Sequence, residues 1–573
     1  MSLDANTSSL TASAAEEFIT SRDTAAVIIR RNDFDNPSVK ENPNILLGKV
    51  LNGTFMVAYA RNSLFRNLLQ DTRVFNPCIG CCLLGVQDLD SAGITMIQQQ
   101  PYLDLRGSGV LLGFVDTGID YTQQCFRYEN GETKIKAIWD QNVPGHPPKG
   151  YLFGTEYESE QINAALGSSD PLSQVATFDE SGHGTFLASI AASRLEGDYR
   201  GVAPDAELVV VKLRETSIYY RNYYLLPLDQ RFIYESADIM QGIEFLIETA
   251  KRLGRPIAIC IGLGGNFDSH DGFSVFEEYI TSISYQNGVA ICCAAGNSLV
   301  TRRHYRGKVE SAGQTAVVKL LMGENGHSNY IAMWNNGIDR LSVGLVSPTG
   351  ERVGRVAARS GTDSSTRLIM ENSLVSISYV FPLHSDGSQL TKIRLHTPTP
   401  GIWQIEVYGE IVLDGTFDMW APLRADNTAW GEFVEADPHY TITIPGTAMG
   451  VITCGAHNSR DKSMYQLSSW GPTRLPMISP DMSAPGVEVG GIFPNGPGAM
   501  SGTSVSAAYC AGACALLMQW GLVDKNVTSM NTYHLKSLLI QGCDRDTWAT
   551  YPNDETGYGR LNLYNTFTQM RYT

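Results

Sequence analysis

Four short segments of this 573-residue chain carry side chains that could act together on a carbonyl group. In the first, the apolar run Gly109-Val110-Leu111-Leu112-Gly113-Phe114-Val115 ends in Asp116-Thr117-Gly118. A carboxylate closing a buried strand, with a glycine turn after it, stands where open α/β sheets keep their ligand crevice. The second, Ser181-Gly182-His183-Gly184-Thr185, sets a histidine between glycines at the head of an apolar, helix-like run. The third, Gly502-Thr503-Ser504-Val505-Ser506-Ala507-Ala508, puts Ser504 in the first turn of a long run of small and apolar residues. There the free backbone N–H groups and the positive end of the helix dipole favour developing negative charge. The fourth, Ala294-Ala295-Gly296-Asn297, follows the strand-like Gly288-Val289-Ala290-Ile291-Cys292-Cys293.

Taken alone, a serine in a first turn is far more often a helix cap than a nucleophile. The other three segments decide the matter. Asp116 supplies a carboxylate that can orient a base, His183 the base, and Ser504 the nucleophile. Asn297 can offer a side-chain N–H to a tetrahedral oxyanion, a donor worth about 3–4 kcal/mol. Acyl transfer by such a set needs no metal, and no segment commits to a calcium site. No metal and no cofactor are therefore expected.

The aspartate, histidine and serine blocks resemble the three catalytic blocks of the subtilisin family of serine peptidases, and Ala294-Ala295-Gly296-Asn297 resembles its oxyanion block. The order Asp, His, Ser is also the family's. The resemblance implies a serine endopeptidase whose triad is Asp116, His183 and Ser504, with Asn297 and the Ser504 backbone N–H holding the oxyanion. Gly262-Leu263-Gly264-Gly265, after the strand-like Pro256-Ile257-Ala258-Ile259-Cys260-Ile261, is similar to the family's substrate-holding segment. Glycines there let an extended peptide approach and pair as an added strand. Leu263, Gly264 and Gly265, with Ala294, Ala295 and Gly296, are thus the expected substrate-binding residues. Two positions depart from the family pattern. Trp470 stands where a basic residue is usual, and Ala508 where a proline commonly follows the serine. Alanine also starts a helix well, so activity is expected to survive.

A chain of this length exceeds one core. Residues 1–87 read as short strands, such as Ala25-Ala26-Val27-Ile28-Ile29, alternating with helical stretches, and resemble the family's α+β prodomain. A prodomain folds the protease and leaves its last residues in the cleft, so it is itself an expected partner. Self-cleavage is expected after Gln87, 29 residues before Asp116, with Gln98-Gln99-Gln100 as a rival place. Residues 88–300 and 437–573 read as the two parts of one α/β catalytic domain, a subtilisin-like parallel sheet sandwiched by helices. Residues 141–171 are expected as a surface loop. Residues 301–436 change texture: apolar Trp403, Ile405 and Val407 alternate with Gln404 and Glu406, and turn clusters separate the runs. That pattern predicts an inserted all-β domain of sandwich or jelly-roll character.

This layout, with Leu103-Asp104-Leu105-Arg106-Gly107-Ser108-Gly109 before the aspartate, is similar to the Csp-type subtilases of spore-forming clostridia. The resemblance implies a protein zymogen as substrate, namely a spore-cortex-degrading hydrolase activated in germination. The alternatives are a general intracellular peptidase and a regulator plugged by its own prodomain.

The net charge of −16 argues against nucleic acid or an anionic membrane as partner. The first twenty residues lack the basic and apolar regions of a secretory signal, and no eighteen-residue apolar run suggests a membrane span. Eleven cysteines, several inside apolar runs, read as free buried thiols of a reducing compartment, the cytoplasm or the spore interior. Cys78-Ile79-Gly80-Cys81 is a CxxC without a second pair or a nearby histidine, which does not favour zinc.

Overall fold

The computed structural model describes residues 12–571 except 41, 43, 69–73, 84–91, 99, 101–102, 325–326 and 424–429. At its centre is an eight-stranded sheet. Its strands run in the order Met482–Pro485, Ile452–His457, Val289–Ala294, Ile257–Ile261, Leu111–Asp116, Glu207–Lys212, Ile135–Asp140 and Thr155–Glu158. The first seven are parallel, and the last pairs antiparallel at the edge. Leu111–Asp116, Glu207–Lys212, Val289–Ala294 and Ile452–His457 are buried at every residue. Parallel strands joined by crossover helices have both faces covered, which is why these read as unbroken apolar runs.

One face carries the helices His183–Ala192 and Thr503–Met518, and the other the helices Ser236–Leu253 and Val275–Ile283. Thr503–Met518 is buried along its whole length. By length and composition the stretch Thr503–Val523 could cross a membrane, but here it is the central core helix. The expected loop at residues 141–171 is corrected by the structure, since it contains the edge strand Thr155–Glu158 and the helix Ser159–Leu166. The strand is too short to show a period. The helix start is marked by Gln161, whose side chain accepts the Glu158 backbone N–H at 2.9 Å.

The N-terminal unit is an antiparallel sheet, in the order Ile45–Leu51, Phe55–Arg61, Thr24–Arg30 and Phe75–Pro77. It packs on the Ser236–Leu253 face and shares one apolar core with it. Phe55 meets Tyr279 edge to face at 6.2 Å, and Arg30 grips Glu278 with two hydrogen bonds. Gln241 donates to the Tyr59 hydroxyl at 2.9 Å, and Tyr220 donates to the Ala26 carbonyl at 2.7 Å.

The insert is two antiparallel sheets around a core of their own. One has six strands, from His304–Lys308 to Asp363–Leu368, and the other five, from Arg352–Val356 to Trp430–Phe433. Along Gly401–Ile411 burial alternates residue by residue, with Trp403, Ile405 and Val407 inward.

Candidate active site

Asp116 is the last residue of its strand and 1% exposed. Its Oδ1 accepts the Thr117 backbone N–H at 2.8 Å and lies 2.7 Å from His183 Nδ1. His183 opens its helix, and its Nε2 lies 3.2 Å from Ser504 Oγ. Residues that are 67 and 321 positions apart in sequence are thus joined in one hydrogen-bonded row. A histidine so placed can donate through Nδ1 to a carboxylate and accept a serine proton at Nε2.

The row is held from both ends. Thr117 Oγ1 accepts the Gly184 N–H at 2.9 Å, which ties the end of the strand to the start of the histidine helix. Asp179 takes up the helix's free donors, accepting from the Gly182 N–H at 2.8 Å and from the Thr185 N–H at 2.8 Å. A carboxylate in that position also meets the positive end of the helix dipole. Ser504 lies in the first turn of Thr503–Met518 and is 0% exposed. Beneath it lies Gly262, where a Cβ would come within 3.0 Å of Ser504 Cβ and 2.6 Å of Leu187 Cδ1. Only glycine leaves room there for the serine and histidine to meet.

Asn297 follows the strand Val289–Ala294. Its Oδ1 accepts from the Thr503 N–H and from Thr503 Oγ1, each at 3.1 Å. These bonds fix the amide, so the Nδ2 hydrogens are what the residue can offer beside Ser504. Ala294, Ala295 and Gly296 build the loop that carries it. The Ala295 carbonyl accepts the Thr443 N–H at 2.8 Å, the Gly296 N–H donates to Thr503 Oγ1 at 3.0 Å, and the Gly296 carbonyl accepts the Ser469 N–H at 2.9 Å. These bonds hold the Ala295-Gly296 turn that presents Asn297.

The cleft itself is marked by a strand of the chain's own N-terminal unit. Gly80–Leu83 lies antiparallel between Tyr234–Glu235 and Leu263–Gly264, with Cys82 opposite Gly264 and Leu83 opposite Leu263. Gly265 continues that edge, and a Cβ on it would lie 1.9 Å from the Gly80 carbonyl oxygen. At Leu263, Gly264 and Gly265 the chain's own segment thus approaches backbone to backbone. Gln87 lies outside the described residues. Tyr234, beside the cleft strand, is buried, and its phenol is pushed well up by burial first and by the Asp116 charge second.

The model of the subtilase family matches residues 107–347 and 427–559, more than half of the chain. The chain belongs to the subtilase family. The unmatched residues 348–426 of this subtilase lie inside the β insert. Its fold is similar to the structure of the CspB protease of Clostridium perfringens, with a TM-score of 0.75 and 29% identity over 84% of this chain and 99% of that one. It is 30% identical over 148 residues to the serine protease AprX of Bacillus subtilis, and 27% identical over 161 residues to the subtilisin-like protease SBT2.4 of Arabidopsis thaliana. Those matches cover 22% and 24% of this chain, and 31% and 18% of the two relatives' own lengths.

Three contributors to the site escape a reading of the sequence. Asp179 carried a usable signal, an acidic residue just ahead of an apolar helix. Thr503 carried none, since its partner is 206 positions away. Tyr234–Glu235 is two residues long and can show no period.

Proposed function

We propose that this subtilase is a serine endopeptidase that processes its own N-terminal unit. The observation carrying this reading is the row Asp116–His183–Ser504, with a strand of the same chain already seated along the substrate edge beside it. In the reaction, His183 Nε2 takes the proton of Ser504 Oγ while Asp116 orients the imidazole and stabilises its charge. Ser504 attacks the peptide carbonyl, and Asn297 Nδ2 with the Ser504 backbone N–H receives the oxyanion. His183 then passes the proton to the departing amine, and water repeats the cycle on the acyl-enzyme.

On this reading residues 1–87 are a prodomain, and the cut falls after Gln87. Intact-mass analysis of the wild type and of Ser504→Ala tests both statements. Two fragments with a new N-terminus at Asp88 in the wild type, against one full-length chain in the variant, are expected. A cut that survives Ser504→Ala removes the proposal.

The substrate proposed from the Csp-type layout is a protein zymogen, in the first instance a spore-cortex-lytic hydrolase, met in the cytoplasm or within the spore. Incubation with such a zymogen and sequencing of the new termini checks this separately. The full burial of Ser504 and the occupied edge favour a second reading, a regulator held shut by its own N-terminal unit. A fluorophosphonate probe separates the two, because it labels only a serine that is activated and reachable.

A further inference from the structure

The N-terminal unit, the catalytic body and the β insert meet around a cavity of about 80 Å³. Arg30 reaches it from the first, Tyr224, Phe267 and Asp268 from the second, and Tyr330 and Lys392 from the third. Three of these residues make an aromatic wall. The Tyr224 ring lies 4.3 Å from Phe267 and 5.3 Å from Tyr330, centroid to centroid, and Phe267 lies 6.4 Å from Tyr330. All three are buried.

The cations at this cavity are already engaged. Arg30 is paired with Glu278, and Lys392 donates to the Tyr223 phenol oxygen at 2.7 Å. Burial raises that phenol, but Lys392 first and Arg394 next bring it below its usual value, so it serves as the partner of Lys392. The nearby carboxylates Asp271 and Asp386 share Arg474. Asp268 is left over. Its Oδ1 accepts the Ser269 backbone N–H at 2.9 Å, and among the described residues its carboxylate has no other hydrogen bond and no ion pair. Burial first and Asp271 second push the Asp268 carboxyl up to about 7. A cation beside it would offset that cost.

Water can fill such a space, but it makes no use of the ring faces. An organic cation uses both parts, since a carboxylate takes its N–H groups and aromatic faces attract its charge from within about 6 Å. An apolar cavity of about twice this volume takes up benzene, so the room here suits about four non-hydrogen atoms. We propose that this cavity binds a small primary ammonium ion, with its N–H groups on Asp268 and its carbons against Tyr224, Phe267 and Tyr330. Because the lining comes from all three units, the ion ties them together and stabilises the assembled chain by mass action. The assignment does not depend on the reaction proposed for Ser504.

Isopropylammonium chloride is the probe, added to the full-length protein at about pH 8, above the Asp268 value, with ionic strength held constant. So few atoms bind weakly, with an expected Kd on the order of 1 mM by titration calorimetry. The melting temperature should rise over the same concentrations. Isopropanol has a similar shape without the charge and should give neither effect. Asp268→Asn keeps the shape and an oxygen for the Ser269 N–H, and near-ultraviolet circular dichroism verifies its fold. It should bind the probe about tenfold more weakly or worse. Wild-type protein that takes up no isopropylammonium well above the expected Kd overturns the assignment, whatever the variant does. So does equal binding of isopropanol, which would leave only an apolar hole, or undiminished binding by Asp268→Asn.

Discussion

The catalytic body and the β insert bury their strands in different ways. In the body, Leu111–Asp116 and Val289–Ala294 hide every residue, whereas in the insert Ser373–Val380 and Thr315–Met322 alternate between core and outer face. A sheet covered on both faces has no free surface except at the ends of its strands. The groups proposed for catalysis in the body accordingly stand where strands stop, at Asp116, and in the loop after Ala294 that holds Asn297. The insert has an outer face, and it carries surface ion pairs such as Arg352 with Glu406 at 3.1 Å. Pairs of that kind are worth little. What the insert does own is its junction with the body. Arg474 of the body joins Asp271 to Asp386 of the insert, His270 stacks on Trp420 of the insert at 4.3 Å, and Lys392 donates to Tyr223 at 2.7 Å. On the proposed function the body holds the reacting groups, and the insert meets it through this junction.

The contrast can be tested from its strongest point downward. Ser504→Ala should lower kcat by on the order of 10⁶, the figure known for the equivalent change in subtilisin, with melting unchanged. Peptide hydrolysis that persists in this variant would place the chemistry elsewhere. Arg474→Ala should cost about 3–5 kcal/mol in denaturant unfolding, because Asp271 and Asp386 are left buried without their cation. A loss below about 1 kcal/mol would reduce the junction to the standing of a surface pair. Asn297→Ala should lower kcat by about 10²–10³, since the Ser504 backbone N–H still serves the oxyanion. If its activity falls as far as that of Ser504→Ala, Asn297 has some other role.

Two smaller effects sharpen the same contrast. Gly265→Ala puts a methyl group against the carbonyl of any peptide strand seated as Gly80 is. It should raise KM for peptides several-fold while leaving labelling by a small serine probe unchanged. Equal loss of both would mean that the site itself is distorted. At the junction, burial holds the His270 imidazole down to about 3, helped by His304 and Arg474. The unfolded chain takes up that proton near 6.5, so between the two values it binds more protons than the folded chain. Stability is therefore present above about pH 6.5 and lost as pH falls toward 3. His270→Phe keeps a ring against Trp420 and should flatten that decline in melting temperature. His457, held down to about 3 in the same way, preserves part of the slope. An unchanged pH profile would show that His270 does not report on the junction.

The members of the hydrogen-bonded row Asp116, His183 and Ser504 stood out in the sequence because each interrupts an apolar run beside a glycine or small hydroxyl residue, and such interruptions are local. The edge at Leu263, Gly264 and Gly265 was pointed to by the resemblance of Gly262-Leu263-Gly264-Gly265 to the family's substrate-holding segment. Burial in the insert followed the alternation of Trp403, Ile405 and Val407, since a strand of period two declares its inner face. Nothing local announces Tyr234–Glu235 as the other wall of the cleft, or Thr503 as the lock on Asn297. Nor does any segment reveal that Arg474 lies between Asp271 and Asp386, or that Cys292 meets Cys514 across 222 positions. Chain order and residue type carry the chemistry of each segment. Sheet register and helix packing decide which distant segments share a site, because those contacts depend on the position of the whole backbone and not on any short stretch of it.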